Sequence, residues 1–408
     1  MERAIYFKQK GEEMYKITKI LIALLLIFFV SQKISASTNY VSKSGGNIPP
    51  FDSWENAATN IQSAVDAASE DNLVLVNDGT YYPGSQIDVT KNITVKSLNG
   101  AKKTIVDGEN TSRCFYVNAG DTIDGFTITN GYSTEGGGIH CRQGGTVINC
   151  TISGNSGGGI YFYLAGGIVE NCIINGNSGY GVVCYSGGTV QFSTISKNSD
   201  GGVFCNYGGT VQNCTITENT GANGGGINCN QKAEIKNSLI INNSASGNGG
   251  GIYMSTPASS AINITFANNT VAENSATGNG GGIYSIKPIE SYNSIIYDNA
   301  ASADSQINNN VATYYCCIEN GDLSNSSITN NPDFYSDVNF HFVDGSPCID
   351  AGTNLPGVFS EKDRDGKPRV LDGIVDIGCY EGPIPEPGYL IFIICCLSFI
   401  SRKFITGA

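Results

Sequence analysis

The chain has 408 residues, 14% charged and 40% hydrophobic, with 52 glycines and a formal net charge of −13. Between Ser37 and Pro387, fifteen basic residues face thirty-three acidic ones, a net charge of −18. Such a surface repels polyanions, which argues against nucleic acid as a partner and against phosphate-binding chemistry; anionic pectate would need bridging cations, with calcium the possible one.

Met1 to Glu13 is charged and without pattern, and Met14 is the better start. Lys16 and Lys19 precede an apolar run, Ile20 to Val30, and the small residues Ser35, Ala36 and Ser37 follow. This is the pattern of a secretory signal peptide cut near Ala36 or Ser37, and the run is short for a membrane span. Residues 1–37 are therefore assigned as signal, 38–382 as one repeat domain with an irregular closing segment at 316–382, and 383–408 as a sorting or anchor segment.

The domain opens with Asp52 and, three residues on, Glu55, a spacing that resembles a capping box, and with Ile61, Ala64, Val65 and Ala68 on one helical face. A helix of four turns there would close the open end of a strand stack, which otherwise exposes apolar residues and unpaired edges. Asn72 to Tyr81 and Lys91 to Leu98 have the composition of the first strands.

From Asp124 to Asn299 one phrase recurs: GGTVINCTISGN at Gly144, GGIVENCIINGN at Gly166, GGTVQFSTISKN at Gly187 and GGTVQNCTITEN at Gly208, spaced 22, 21 and 21 residues apart. A fixed period of this size means stacked identical units. One column pairs a residue with an Asn six positions later, beginning at Asp124/Asn130 and Asn149/Asn155 and ending at Asn293/Asn299. Another holds Cys141, Phe162, Cys184, Cys205, Cys229 and Ser285, with Met254 displaced by an insertion. Between columns the residues alternate, Val147, Asn149 and Thr151 against Ile148, Cys150 and Ile152, the period of strand. Short strands with Asn- and Gly-rich corners specify an all-β parallel β-helix of 21–25-residue coils, whose Asn side chains can bond from coil to coil. Insertions ending at Gly226, Gly251 and Gly282 lengthen one corner in three consecutive coils; in repeat proteins that face is often the binding face, although Gly and Ser loops are also simply tolerated.

Tyr40 to Gly45, the Trp54 segment, Ile61 to Ala68, Leu75 to Tyr82, Thr104 to Gly108 and Ile123 to Gly131 resemble the opening of secreted bacterial proteins with the pectin-lyase-like right-handed β-helix. GSPCIDAG (Gly345 to Gly352), DRDGKPR (Asp363 to Arg369) and VDIGCYE (Val375 to Glu381) resemble their closing segment, labelled choice-of-anchor Q. Pro385-Glu386-Pro387, the apolar run Tyr389 to Ile400 and Arg402-Lys403 resemble a PEP-CTERM sorting tail. That resemblance implies processing by an exosortase-type enzyme, transient residence in the inner membrane, and delivery to the cell surface, outer envelope or extracellular matrix of a bacterium. The basic cluster is only two residues and Phe404 to Ala408 continue past it, which leaves a plain short anchor as the other reading.

Fourteen Cys in an exported chain suggest disulfides, yet most fall in the repeat columns, where parallel side chains bridge poorly and the thiols can serve as small hydrophobes. Cys316, Cys317, Cys348 and Cys379 lie outside those columns and are the better disulfide candidates. Enzymes of the pectin-lyase-like fold resemble one another in using a Lys or Arg base with calcium-binding carboxylates, or clustered Asp residues. Here the nearest constellation is Lys197 with Asp200 and, one coil on, Glu218, which also reads as a solvated corner. Asp107, Glu109, Arg113, Asp121 and Asp124 form a denser group that reads equally as turns. Asp363 and Asp365 alternate as calcium ligands do, but the remaining loop ligands are missing. Tyr161, Tyr163, Tyr180, Tyr185 and Tyr207 recur beside the glycines; pointing outward they could stack on sugar rings, and otherwise they cover the sheet. The expected function is an exported protein that binds or organises extracellular polysaccharide without catalysis, with a polysaccharide lyase or glycosidase and an adhesin as alternatives.

Overall fold

The computed structural model describes residue 19 and residues 37–231, 233–255, 264–321, 323–336, 340–354, 362–371 and 373–382. The signal segment and the sorting motif Pro385, Glu386, Pro387, Arg402 and Lys403 lie outside the described residues. Between Thr38 and Ile318 the described residues form a parallel β-helix. Three sheets of twelve, eleven and nine strands run its length, and all named strand pairs are parallel. One coil shows the plan: Thr146–Ile148 lies in the first sheet, Thr151–Ser153 in the second and Ile160–Phe162 in the third. The next coil repeats it in register, Val147 beside Val169, Ile152 beside Ile174 and Phe162 beside Cys184.

The interior is filled by these register rows. Val147, Val169, Val190 and Val211 line one wall and Ile152, Ile174, Ile195 and Ile216 another, all fully buried. The expected alternation from Val147 to Ile152 is broken once. Asn149 adopts φ 55°, which turns the chain between the first and second sheets, so Val147 points in together with Cys150 and Ile152 while Ile148 is left half-buried. The same left-handed corner recurs at Asn171, Phe192, Asn213, Asn237, Asn268 and Asn293; Asn tolerates that backbone best among residues with a side chain.

The second Asn column is a buried ladder. Nδ2 of Asn155 donates to Oδ1 of Asn177 at 3.0 Å, Asn177 to Asn198 at 2.9 Å, Asn198 to Asn219 at 2.9 Å and Asn219 to Asn243 at 3.0 Å, and the series continues through Asn274 to Asn299. The first pair is one residue out of this register. Ile148, not Asn149, lies beside Asp124, and Gly131 rather than Asn130 faces Asn155, whose Oδ1 accepts the Gly131 N–H at 2.8 Å. Beyond the ladder the coils approach so closely that a Cβ on Gly202 would lie 2.6 Å from the carbonyl oxygen of Gly226, which fixes glycine there.

The cysteines divide into two roles. Cys141, Cys184, Cys205 and Cys229 are packed inside the third sheet between Val117, Phe162 and Met254, in one register row. Cys150, Cys172 and Cys214 occupy the corner after the first sheet, where they are buried in the same core and also hydrogen-bond. The Cys150 thiol accepts the Phe126 N–H at 3.4 Å, as Ser193 Oγ accepts that of Cys172 and Ser238 Oγ that of Cys214. Cys316 continues this column, accepting the Ser294 N–H at 3.4 Å, and Cys317 begins the last strand of the second sheet, Cys317–Ile318. Both therefore belong to the stack, and the closing segment starts after Ile318. All twelve described cysteines are buried free thiols, so the expected disulfides among Cys316, Cys317, Cys348 and Cys379 are not formed.

Helix and closing segment cover different parts of the stack. Helix α1, Ile61–Ala67, has seven residues rather than four turns and is capped by Asn60, whose side chain accepts the Ser63 N–H at 2.8 Å. Asp52 bonds the Asn56 side chain instead. Ile61, Ala64 and Val65 are buried against the first coils. In the later coils the outward residues of the second sheet change from Thr151, Thr194 and Thr215 to Leu239, Ile241 and Ile295, and the closing segment covers this face with Phe340, Phe342, Ile377, Cys379 and Tyr380. Its own centre is a buried Arg–Glu contact, Arg369 Nε to Glu381 Oε1 at 3.1 Å, with both side chains 1% exposed.

Candidate functional site

The middle residues of the third-sheet strands point outward and stack along the helix axis in one row: Tyr116, His140, Tyr161, Val183, Phe204, Asn228, Tyr253 and Tyr284. Strand spacing of about 4.8 Å brings their rings together. His140 lies between Tyr116 at 5.5 Å and Tyr161 at 5.4 Å, both stacked, and Tyr253 stacks on Tyr284 at 5.7 Å. Tyr163 and Tyr185 follow at the next corner, 5.8 Å apart, and Tyr207 closes on Tyr185 at 5.8 Å.

The four tyrosines expected to stack on sugars are thus brought into one band across three coils. Tyr163 and Tyr207 are exposed, and Tyr161 and Tyr185 are half-buried. Tyr180 is set beside the band, 5.3 Å from Phe204, and its hydroxyl accepts an N–H of Asn228 at 3.2 Å. Burial, with a smaller contribution from Glu135, pushes the Tyr161 hydroxyl up to about 12, so it stays protonated. Burial, assisted by the Arg113 guanidinium, holds His140 below its ordinary value, so its ring is neutral at neutral pH.

Lys197 and Glu218 occupy equivalent left-handed corner positions, φ 56° each. They pair with each other at 3.5 Å with most of both side chains in solvent. The neighbouring corners hold Gly176, Asn242 and Glu273, and Asn242 bonds Glu273 at 2.9 Å; this is a solvated row, and Asp200 is not part of that pair. Asp200 instead reaches the rim of a pocket beside the tyrosines. Asp363 is fully buried, its Oδ1 accepting the Asp365 and Lys367 N–H groups and its Oδ2 that of Glu381. Asp365 bonds His341 Nε2 at 2.7 Å. Both carboxylates of the expected calcium loop are engaged in holding the closing segment. Of the denser acidic group, Asp124 pairs with Lys96 at 2.7 Å and Asp121 accepts backbone N–H groups of Ile93 and Asn118.

The three corner insertions fold as a fourth sheet, Thr220–Gly221, Ser244–Ala245 and Ser275–Ala276. They bound a concave surface of about 540 Å³ lined by small residues such as Ser199, Thr220, Ser244, Ser275 and Thr277. It presents hydroxyl and methyl groups, and no titratable side chain lines it. Tyr116, His140 and Phe204 were not among the sequence candidates. Their signal is the third-sheet middle position, which becomes readable only once the coils are registered.

Residues 77–235 match the family described as "Right handed beta helix region". No curated protein matches the sequence. Among solved structures the chain is similar to pectate lyase Pel9A, with a TM-score of 0.53 at 16% identity over 85% of this chain and 97% of that one. It also matches XylC in complex with xylose (TM-score 0.43, 10% identity, 70% and 76% covered) and the Aspergillus niger pectin methylesterase (TM-score 0.28, 14% identity, 73% and 91% covered). At these identities the likeness is one of fold: the chain is an all-β, right-handed parallel β-helix.

Proposed function

We propose that this is an exported bacterial surface or matrix protein that binds extracellular polysaccharide along the aromatic band of its third sheet, without cleaving it. The observation that carries the reading is the contiguous run Tyr161, Tyr163, Tyr185 and Tyr207, with neighbouring rings about 6 Å apart on one face. Aromatic faces offer area to the C–H faces of sugars, and their hydroxyls offer hydrogen bonds at low entropic cost. Glycosidic cleavage needs an acid and a base, or a base with cations, converging on one bond. The expected catalytic group does not supply this, because Lys197 and Glu218 neutralise each other on a solvated corner. The signal pattern at Met14 to Ser37 and the tail at Pro385 to Lys403 support export and surface sorting through an exosortase-type enzyme.

The test is retention of the purified chain on insoluble glycans, with new reducing ends and unsaturated products followed in parallel, with and without calcium. Retention lost on Tyr163→Ala with Tyr207→Ala, and no product, is the expected result. Product from any glycan, or retention indifferent to both tyrosines, refutes the proposal.

A further inference from the structure

Beside the band a pocket of about 260 Å³ opens between Tyr161, Tyr180, Tyr185 and Phe204, with Val183 and Asp200 completing it. Each part has a distinct local cause. Tyr161, Val183 and Phe204 are successive members of one register row, and the small Val183 between two rings makes the depression. Tyr180 and Asp200 come from the preceding corner, next to Gly179 and Gly201.

The polar groups are placed for a ligand rather than for each other. The Tyr180 hydroxyl accepts its hydrogen bond from Asn228 Nδ2, so its own proton is free to donate. The Asp200 carboxylate makes no hydrogen bond or ion pair with any described residue. The pocket thus combines aromatic walls, one donor and one anionic acceptor. Its volume lies below the roughly 300–1,000 Å³ of pockets for drug-sized ligands, room for a single ring.

We propose that this pocket binds one neutral pyranose residue, carried as a branch or chain end by the glycan that lies on the band. The sugar's C–H face would rest on Tyr161 and Phe204, one hydroxyl would donate to Asp200 and another oxygen would accept from Tyr180. Neutrality follows from charge, since the open carboxylate of Asp200 and the net charge of −18 between Ser37 and Pro387 disfavour a uronate. The polymer part of this inference rests on the proposed function; the pocket itself does not.

The experiment measures methyl α-D-galactopyranoside, methyl β-D-xylopyranoside and D-galacturonic acid by saturation-transfer NMR and calorimetry on the full chain. In parallel, retention is compared on linear mannan and on galactose-branched galactomannan. Saturable binding of at least one neutral glycoside is expected, about tenfold weaker in Tyr180→Phe and in Asp200→Asn, each of which leaves a buried or charged partner unmatched. Galacturonic acid binds more weakly than either, and Tyr163→Ala with Tyr207→Ala leaves glycoside binding unchanged while reducing polymer retention. Asp200 is exposed and Tyr180→Phe keeps the ring, so folding is preserved. Polymer retention with no bound glycoside, or glycoside binding indifferent to both pocket variants, overturns the pocket and leaves the glycan reading standing. Glycoside binding that the pocket variants weaken, with no polymer retained, upholds the pocket and sinks that reading.

Discussion

Replacement of Asn198 by Ala probes what holds the coils in register. Asn198 is fully buried at the middle of the ladder. Its Oδ1 accepts the backbone N–H of Asn177 at 3.1 Å and the side-chain N–H at 2.9 Å, and its Nδ2 donates to Asn219 Oδ1 at 2.9 Å and Ile174 O at 3.3 Å. Truncation leaves two donors of Asn177 buried without a partner, whereas Asn219 Oδ1 retains the Asn198 backbone N–H at 3.0 Å. Each orphaned buried group costs about 1–3 kcal/mol, so Asn198→Ala should destabilise the protein by roughly 2–6 kcal/mol. Asn171→Gly is the contrast, since that exposed corner has φ 53° and makes no ladder bond; it should be neutral or stabilising by less than about 1 kcal/mol. Equilibrium urea unfolding, followed by far-UV circular dichroism and by the fluorescence of Trp54, measures both. A loss below about 1 kcal/mol for Asn198→Ala would show that the ladder only accompanies the stacking and does not stabilise it.

The buried pair in the closing segment makes stability depend on pH. Burial raises Glu381 from 4.5 to about 8 despite Arg369, so between those values the folded chain holds a proton that the unfolded chain releases. This contribution is fully present below pH 4.5, falls as pH rises toward 8 and levels off above it; Glu381→Gln should flatten that slope in urea titrations at fixed pH. Among the cysteines, Cys214→Ser should cost less than about 1 kcal/mol, because Ser193 and Ser238 already serve at its corner. Cys205→Ser should cost about 1–3 kcal/mol for an unpaired hydroxyl in an apolar row. With all twelve described thiols buried, Ellman titration of the native protein should report no more than Cys395 and Cys396, and more in urea. Lys197→Ala and Glu218→Ala should each shift stability by less than about 1 kcal/mol and leave glycan retention unchanged; a loss of retention would move the binding surface to that corner.

The period of the copies and the constant Asn spacing determined the architecture without any coordinates, because a stack of 21-residue units has to repeat its corners and its interior. The Asn155 to Asn299 ladder was legible for the same reason. Parity was not: Asn149 and Asn155 read alike in sequence, yet one is an exposed left-handed corner and the other a buried hydrogen-bonding group. The difference is decided by the coil above and below. Cys150 and Cys141 likewise share a residue type and differ in their hydrogen bonding. Tyr161, Tyr163, Tyr185 and Tyr207 stood out as recurrences, but only the stacking of strands at about 4.8 Å sets their rings in contact and adds Tyr116, His140 and Phe204. The sequence by itself determined the repeat, its strands and the composition of its corners, all properties of a single coil. Tertiary structure alone decided which residues of neighbouring coils meet, where the closing segment lies, and that Asp200 leaves Lys197 for a tyrosine-lined pocket, because those contacts join positions 20 to 150 residues apart.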